Sequence, residues 1–268
     1  KLKPLQATLV DTLLPGIEAT DTHDSAALSS GRDLWLVVGF GGGEHLEAQA
    51  AKHPDVTFIG CEPFLNGVGS ALRHIEDGGL KNVLILPGDA RPLLDKLPEA
   101  SLSRIFILFA DPWPKARHNK RRFIQPETIA AFARALKPGG SLGFVTWRKR
   151  EDNQWLHVPE LTVRGLIAEE EEKKDEVTCG PGPFSMRGAD LVSDQLKAAG
   201  FEQIRFERHD TEICIGRDLD DAIAFSMALG PAGEIMRLAC DIVKAREPEV
   251  IAALRLALSG FVTPRGVW

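Results

Sequence analysis

Short apolar runs punctuate the first half of the chain at regular intervals. They are Leu34-Trp-Leu-Val-Val38, Val56-Thr-Phe-Ile-Gly-Cys61, Val83-Leu-Ile-Leu86, Ile105-Phe-Ile-Leu-Phe109 and Ser141-Leu-Gly-Phe-Val-Thr146. The first is continuous rather than alternating, which predicts a strand buried on both faces, and the other four read as strands in turn. Between them lie helical stretches at about 44–52, 67–75, 93–97 and 125–136. The first carries Leu46, Ala50 and Ala51 on one side and stops at His53-Pro54-Asp55. The last opens on Gln125-Pro126-Glu127, with proline in the first turn, and ends in Lys137-Pro-Gly-Gly140. Strand and helix thus alternate five times with short links. That pattern predicts an α/β fold with a doubly wound, mostly parallel, Rossmann-like sheet and right-handed crossovers.

The flanks read differently. Residues 1–33 form an N-terminal extension with a short helix near 5–14. Beyond Thr146 the chain turns polar and basic. A helix is expected at 158–168, followed by a charge run, Glu169–Glu176, read as a solvated loop or helix face. Further helices are expected at 190–199, 219–228, 233–244 and 249–258. The alternation over Phe201–Glu207 predicts a sixth strand that 211–215 continues or pairs. With no internal repeat and no evident linker, residues 34–268 read as one domain, 34–146 forming a cofactor half and 147–268 a substrate or lid half.

A chain of 268 residues with 44% hydrophobic content can bury a full core. No apolar run approaches the roughly 20 residues of a membrane span, and Lys1–Gln6 lacks the apolar segment of a signal peptide. The four cysteines are scattered, which argues against a zinc site or disulfide framework and for a reducing, cytoplasmic setting. A net charge of -6 argues against nonspecific coating of nucleic acid, while leaving room for a local basic patch.

Such a patch exists. After the fourth strand comes Asp111-Pro-Trp-Pro-Lys-Ala-Arg-His-Asn-Lys-Arg-Arg122. A carboxylate delivered by a buried strand costs free energy unless solvated or paired, and the prolines around Trp113 stiffen the loop after it. Lys115, Arg117, Lys120, Arg121 and Arg122 read as a phosphate clamp. Gly39-Phe-Gly-Gly-Gly43 ends the first strand and exposes backbone N–H groups at a helix start. Glu62 lies 23 residues beyond Gly39, near the spacing of a ribose-binding acid; alternatively it is a solvated acid or helix cap. Asp89 either contacts an adenine amine or caps the next helix. The loop has no Walker lysine, and His45 and Leu46 after Glu44 suit S-adenosyl-L-methionine better than a nicotinamide dinucleotide. The glycine loop, Glu62, Asp89 and Asp111 all follow strand ends, where ligands of such sheets bind.

From about 34 to 140 the sequence closely resembles the bacterial tRNA (guanine-N7)-methyltransferases. The matching stretches are Gly39-Phe-Gly-Gly-Gly-Glu-His45, Phe58-Ile-Gly-Cys-Glu-Pro63, Asn66-Gly-Val68, Gly88-Asp-Ala90 and, above all, the segment from Asp111 to Arg122. The resemblance implies a class I methyltransferase with S-adenosyl-L-methionine as donor and tRNA as partner. It implies cofactor contacts from Gly39, Gly41, Gly43, Glu44, Glu62, Asp89 and Ala90. It makes Asp111 the active-site acid, with Trp113, Lys115, Arg117, Arg121 and Arg122 on the substrate.

The chain also departs from that pattern. Val37 stands where an acid usually precedes the glycine loop, and Ala110 where proline precedes Asp-Pro-Trp. After Thr146 the segment resembles the ubiquinone/menaquinone-type and small-molecule methyltransferases, through Trp147, Asp152-Asn-x-Trp155, Pro181-Gly-Pro-Phe184 and Ala199-Gly-Phe201. A junction of two related enzymes near Thr146 is therefore one expectation. A small-molecule methyltransferase, or a scaffold that binds cofactor without turnover, are the alternatives to a tRNA enzyme.

Overall fold

The computed structural model describes residues 2–19, 31–109, 123–171, 184, 188–238 and 240–268. The chain divides into two compact units, Lys1–Thr146 with Gly180–Ile204, and Trp147–Cys179 with Arg205–Trp268.

The first unit is built on a parallel sheet of β1 (Asp33–Val38), β2 (Val56–Cys61), β3 (Val83–Leu86), β4 (Leu102–Leu108) and β5 (Leu136–Val145), in spatial order β3-β2-β1-β4-β5. The central strand β1 pairs with β2 from Asp33↔Val56 to Val38↔Cys61, and with β4 from Trp35↔Arg104 to Val38↔Ile107. Alternate residues of these strands feed two cores, as a period of two requires. Leu34, Leu36, Ile59, Ile105 and Ile107 enter one layer with Leu94 and Phe132. Trp35, Val37, Phe58 and Ile85 enter the other with Leu46, Val68 and Leu72. β1 and β2 read as continuous apolar runs because both their faces are buried.

The helices of the second layer are α1 (Pro4–Thr12), α3 (Glu44–Lys52) and α4 (Leu65–Asp77); α2 (Leu14–Ile17) is a single turn. α4 buries Val68, Ala71, Leu72 and Ile75, one stripe at helical spacing. Burial of each larger side chain is worth about 1.5–3 kcal/mol. Asn82 holds the α3–β2 corner by donating Nδ2 to the carbonyls of Ala50, His53 and Val56 at 3.1, 3.0 and 2.9 Å. The N-terminal extension adds more than the expected helix. Ala19 N–H donates to Ile85 C=O at 2.8 Å, so residues 18 and 19 cover the edge of β3. On the other face lie α5 (Arg91–Lys96) and α6 (Pro126–Ala135). The helix after Gly188, α8 (Ala189–Ala198), packs Val192 and Leu196 beside Ile129.

The second unit is helical: α7 (Gln154–Glu171), α9 (Leu219–Ala228), α10 (Gly230–Leu238) and α11 (Cys240–Leu258), with a small hairpin, β6 (Val262–Thr263) and β7 (Gly266–Val267). Its core gathers Val163, Ile167, Ile223, Val250 and Leu254. α7 continues through Pro159 and α11 through Pro248, so the break expected between 244 and 249 is absent. The expected sixth strand does not form. Gln203 has a φ of 54°, outside the extended region, and Phe201 and Ile204, three residues apart, both pack against the cluster of Ile129, Val192 and Leu196 instead of alternating. The segment 211–215 likewise contains no strand.

Candidate active site

At the carboxyl edge of the sheet, β1 runs into the glycine loop. Gly39, Gly41 and Gly43 have φ of 67°, 58° and 93°. At Gly41 that left-handed backbone is what glycine allows, and an added Cβ there would meet nothing within 4 Å. The loop therefore borders open space at the end of the sheet. Gly43 sits at the cap of α3, with Glu44 opening the helix.

Glu62 ties this loop to the end of β2. Its side chain is only 5% exposed. Oε2 accepts from Gly41 N–H at 2.9 Å and Oε1 accepts from Phe64 N–H at 3.0 Å. Its own N–H donates to Leu86 C=O at 3.1 Å, extending the sheet by one residue. Each oxygen keeps a further lone pair, so the carboxylate can accept two more hydrogen bonds. A vicinal diol supplies two such donors. The next helix, α4, lies close: a Cβ on Gly67 would stand 2.4 Å from Gly41 O and 3.0 Å from Glu62 Cγ. Phe64, 66% exposed, sits at the rim.

Asp89 follows β3. Its Oδ1 accepts from Arg91 N–H at 2.9 Å, and its carboxylate pairs with the Arg91 guanidinium, Nε lying 3.0 and 2.9 Å from the two oxygens. Burial pushes the Asp89 carboxyl up, but the hydrogen bonds and charge of Arg91 outweigh it and leave it below the usual range. Asp89 is not the N-cap expected as one option: Ala90 holds that position with no side-chain cap hydrogen bond, and Asp89, one residue earlier, accepts from the first helical N–H. Ala90, the N-cap of α5, is buried in the core. Glu44 is exposed, 3.9 Å from His74 Nε2. His74 Nδ1 lies 3.2 Å from Glu47. Burial lowers the basicity of His45, whose Nδ1 is buried without a partner and whose ring packs on Phe106 with centroids 4.9 Å apart. Burial, then the charge of Asp89, raises the Cys61 thiol, making it an inert core group.

β4 ends at Leu108, and Phe109 N–H donates to Val145 C=O at 2.9 Å. Phe109 has a φ of 51°, costing about 1–3 kcal/mol for such a side chain. Asp111, Trp113, Lys115, Arg117, Arg121 and Arg122 lie outside the described residues.

The structure therefore brings together the glycine loop and Glu62. It adds Phe64 and Gly67, which sequence reasoning did not assign to the site. A signal for Phe64 was available: a buried acid needs donors, and the backbone two residues on is the nearest supply.

A family model described as "Putative methyltransferase" matches residues 32–180. A tRNA (guanine-N(7)-)-methyltransferase of Rhodospirillum rubrum is 46% identical over 257 residues, covering 87% of this chain and 92% of that one. The chain belongs to the tRNA (guanine-N(7)-)-methyltransferase family. A second member, from Caulobacter sp. strain K31, is 48% identical over 170 residues, 63% of this chain and 72% of its own. Because one relative spans both halves, the expected junction near Thr146 is not needed to account for the chain. Among solved structures, phosphoethanolamine N-methyltransferase 2 of Haemonchus contortus aligns over 95% of this chain and 48% of its own, with 13% identity and a TM-score of 0.42. Like the rest of its family, this chain is an S-adenosylmethionine-dependent methyltransferase. No described helix is long and apolar enough to cross a membrane, and no metal-ligand cluster occurs among the described residues.

Proposed function

We propose that this enzyme methylates N7 of a guanine in tRNA, acting in the cytoplasm on folded RNA. The observation that supports the donor side of this reading is the buried Glu62 carboxylate, which ties the glycine loop to the end of β2 through Gly41 N–H and Phe64 N–H and keeps acceptor capacity unused by them. That is a seat for a ribose diol at the end of a parallel sheet. When bound, S-adenosylmethionine supplies an electrophilic methyl on a sulfonium.

The chain's own residues then have limited chemistry to perform. Guanine N7 carries a free lone pair, so attack needs no general base. What the reaction needs is alignment and a counter-charge for a ring that becomes cationic. Asp111 is assigned that role: it stabilises developing positive charge and accepts hydrogen bonds from the guanine edge. Trp113 stacks on a base, worth roughly 1–3 kcal/mol. Lys115, Arg117, Arg121 and Arg122 hold phosphates. Gly39, Gly43, Glu44, Asp89 and Ala90 complete the cofactor cradle beside Gly41 and Glu62. In the same reading, residues 34–146 form the cofactor-binding half and 147–268 the substrate or lid half.

Transcripts carrying 7-deazaguanine test the assignment. A transcript with guanine at the modified position is expected to accept label from the donor, and its 7-deaza counterpart to accept none. Equal labelling of both would overturn N7 as the acceptor.

A further inference from the structure

Many arginines of this chain are neutralised by its own carboxylates. Arg91 pairs with Asp89, Arg164 with Glu160, Arg217 with Asp221 and Arg255 with Asp220. Arg104, on β4, differs: it forms no ion pair among the described residues. Its side chain is fixed all the same. The guanidinium carbon sits 4.4 Å from the centroid of the Trp35 ring and 5.8 Å from that of Phe106, and Nε donates to Ser141 Oγ at 3.0 Å. A guanidinium has five N–H donors, and this bond uses one. The others, on the two terminal nitrogens, form the fork that grips phosphate oxygens in pairs.

The strand register places this group on one half of one sheet face. Arg104 and Phe106 stand beside Ser141 and Gly143 of β5, and Leu108 stands beside Val145. Phe106 joins the layer of Trp35, so this row faces the side on which α1, α3 and α4 pack. Over β5 that side is open: Ser141 is exposed, and Val145 is 46% exposed. On the opposite face Leu142 and Phe144 are packed into the core. An unneutralised cation backed by an aromatic ring thus borders the open half-face. In a chain of net charge -6, such a fixed cation is a local attraction for a polyanion.

We propose that the open half-face of β4 and β5 is a docking surface for the backbone of the substrate RNA, on which Arg104 grips a phosphate while Trp35 and Ser141 hold its guanidinium in place. The inference rests on tRNA being the substrate. Stacking on Trp35 sets the fork before the RNA arrives, so less side-chain entropy is lost on contact. A phosphate contact positions the RNA without reading its sequence.

The test measures tRNA affinity across salt concentrations, with S-adenosylhomocysteine bound, for the wild type, Arg104→Gln and Arg104→Lys. Formation of 7-methylguanosine by the wild type is followed alongside. Arg104→Gln should reduce the slope of log affinity against log salt by about 1, with S-adenosylhomocysteine affinity unchanged. Arg104→Lys keeps the charge and gives up the fork, and should retain the slope. A second readout needs no variant and decides the matter where Arg104→Gln fails to fold: phenylglyoxal modification of Arg104 in the wild type, located by mass spectrometry, should be suppressed by bound tRNA. An unchanged slope in Arg104→Gln, or equal modification with and without tRNA, would overturn the inference. Protection by polyglutamate and not by tRNA would overturn it too, assigning the surface to an acidic protein. A wild type that methylates tRNA yet fails these arms sinks this inference alone. A wild type that forms no 7-methylguanosine overturns the tRNA reading beneath it.

Discussion

Substituting Glu62 by glutamine tests the cofactor seat with almost no change of volume. Glu62 uses one oxygen for Gly41 N–H and the other for Phe64 N–H, and both sit in a side chain that is 5% exposed. Glutamine has one acceptor oxygen; its amide nitrogen can only donate. Whichever way the amide turns, one backbone N–H faces another donor. Leaving one buried donor unsatisfied costs about 1–3 kcal/mol. At roughly 2–4 °C per kcal/mol for a chain of this size, the melting temperature of the free protein should fall by roughly 2–12 °C. The ligand loses more, because a hydrogen bond to a charged acceptor is worth about 1.5–3 kcal/mol. Affinity for S-adenosylhomocysteine should then weaken about 10- to 150-fold. Thermal melts with and without S-adenosylhomocysteine, and calorimetric titration, read both quantities. An unchanged melting temperature would refute the claim that this carboxylate holds the loop. A lowered melting temperature with full affinity would refute its role as the ribose acceptor.

Gly67→Ala puts a methyl 2.4 Å from the Gly41 carbonyl oxygen, so backbone must move; a loss of about 1–3 kcal/mol in chemical denaturation is expected, with weaker S-adenosylhomocysteine binding. The Asp89–Arg91 pair makes a pH-dependent contribution. Because the folded Asp89 carboxyl lies below its unfolded value of about 3.9, its stabilisation is complete above that pH and is lost as pH falls through the lower folded value. Asp89→Asn should therefore flatten the acid limb of the melting profile below about pH 4, and an unaltered limb would show the pair to be inconsequential. Arg121→Ala and Arg122→Ala should each reduce the slope of log affinity for tRNA against log salt by about 1, as a single phosphate contact requires.

The centre of the sheet was legible because β1 and β2 are buried on both faces. Leu34–Val38 and Val83–Leu86 have no polar face to confuse with a helix, and β2, β3, α3 and α9 fall where the pattern places them. Elements with mixed surroundings were not legible. Proline at 248 reads as a stop, yet α11 passes through it. The segment from Phe201 alternates like a strand, but one left-handed residue, Gln203, takes it out of the extended region. In the site, the spacing of Glu62 from Gly39 anticipated a real juxtaposition, since that carboxylate does meet the loop at Gly41. Asp89 was ambiguous in sequence because a cap and a ligand contact need the same acceptor; it stands one residue before the N-cap, Ala90, and its carboxylate meets Arg91. Phe109 gave no sign at all, since backbone dihedrals leave no trace in a single aromatic residue.

The decisive measurement is mass spectrometry of nucleosides from tRNA incubated with the enzyme and methyl-labelled S-adenosylmethionine, repeated with Asp111→Ala. Labelled 7-methylguanosine is expected with the wild type, and none with the variant, which should still bind S-adenosylhomocysteine. Label in any other nucleoside, or undiminished 7-methylguanosine from Asp111→Ala, would contradict N7 methylation directed by Asp111.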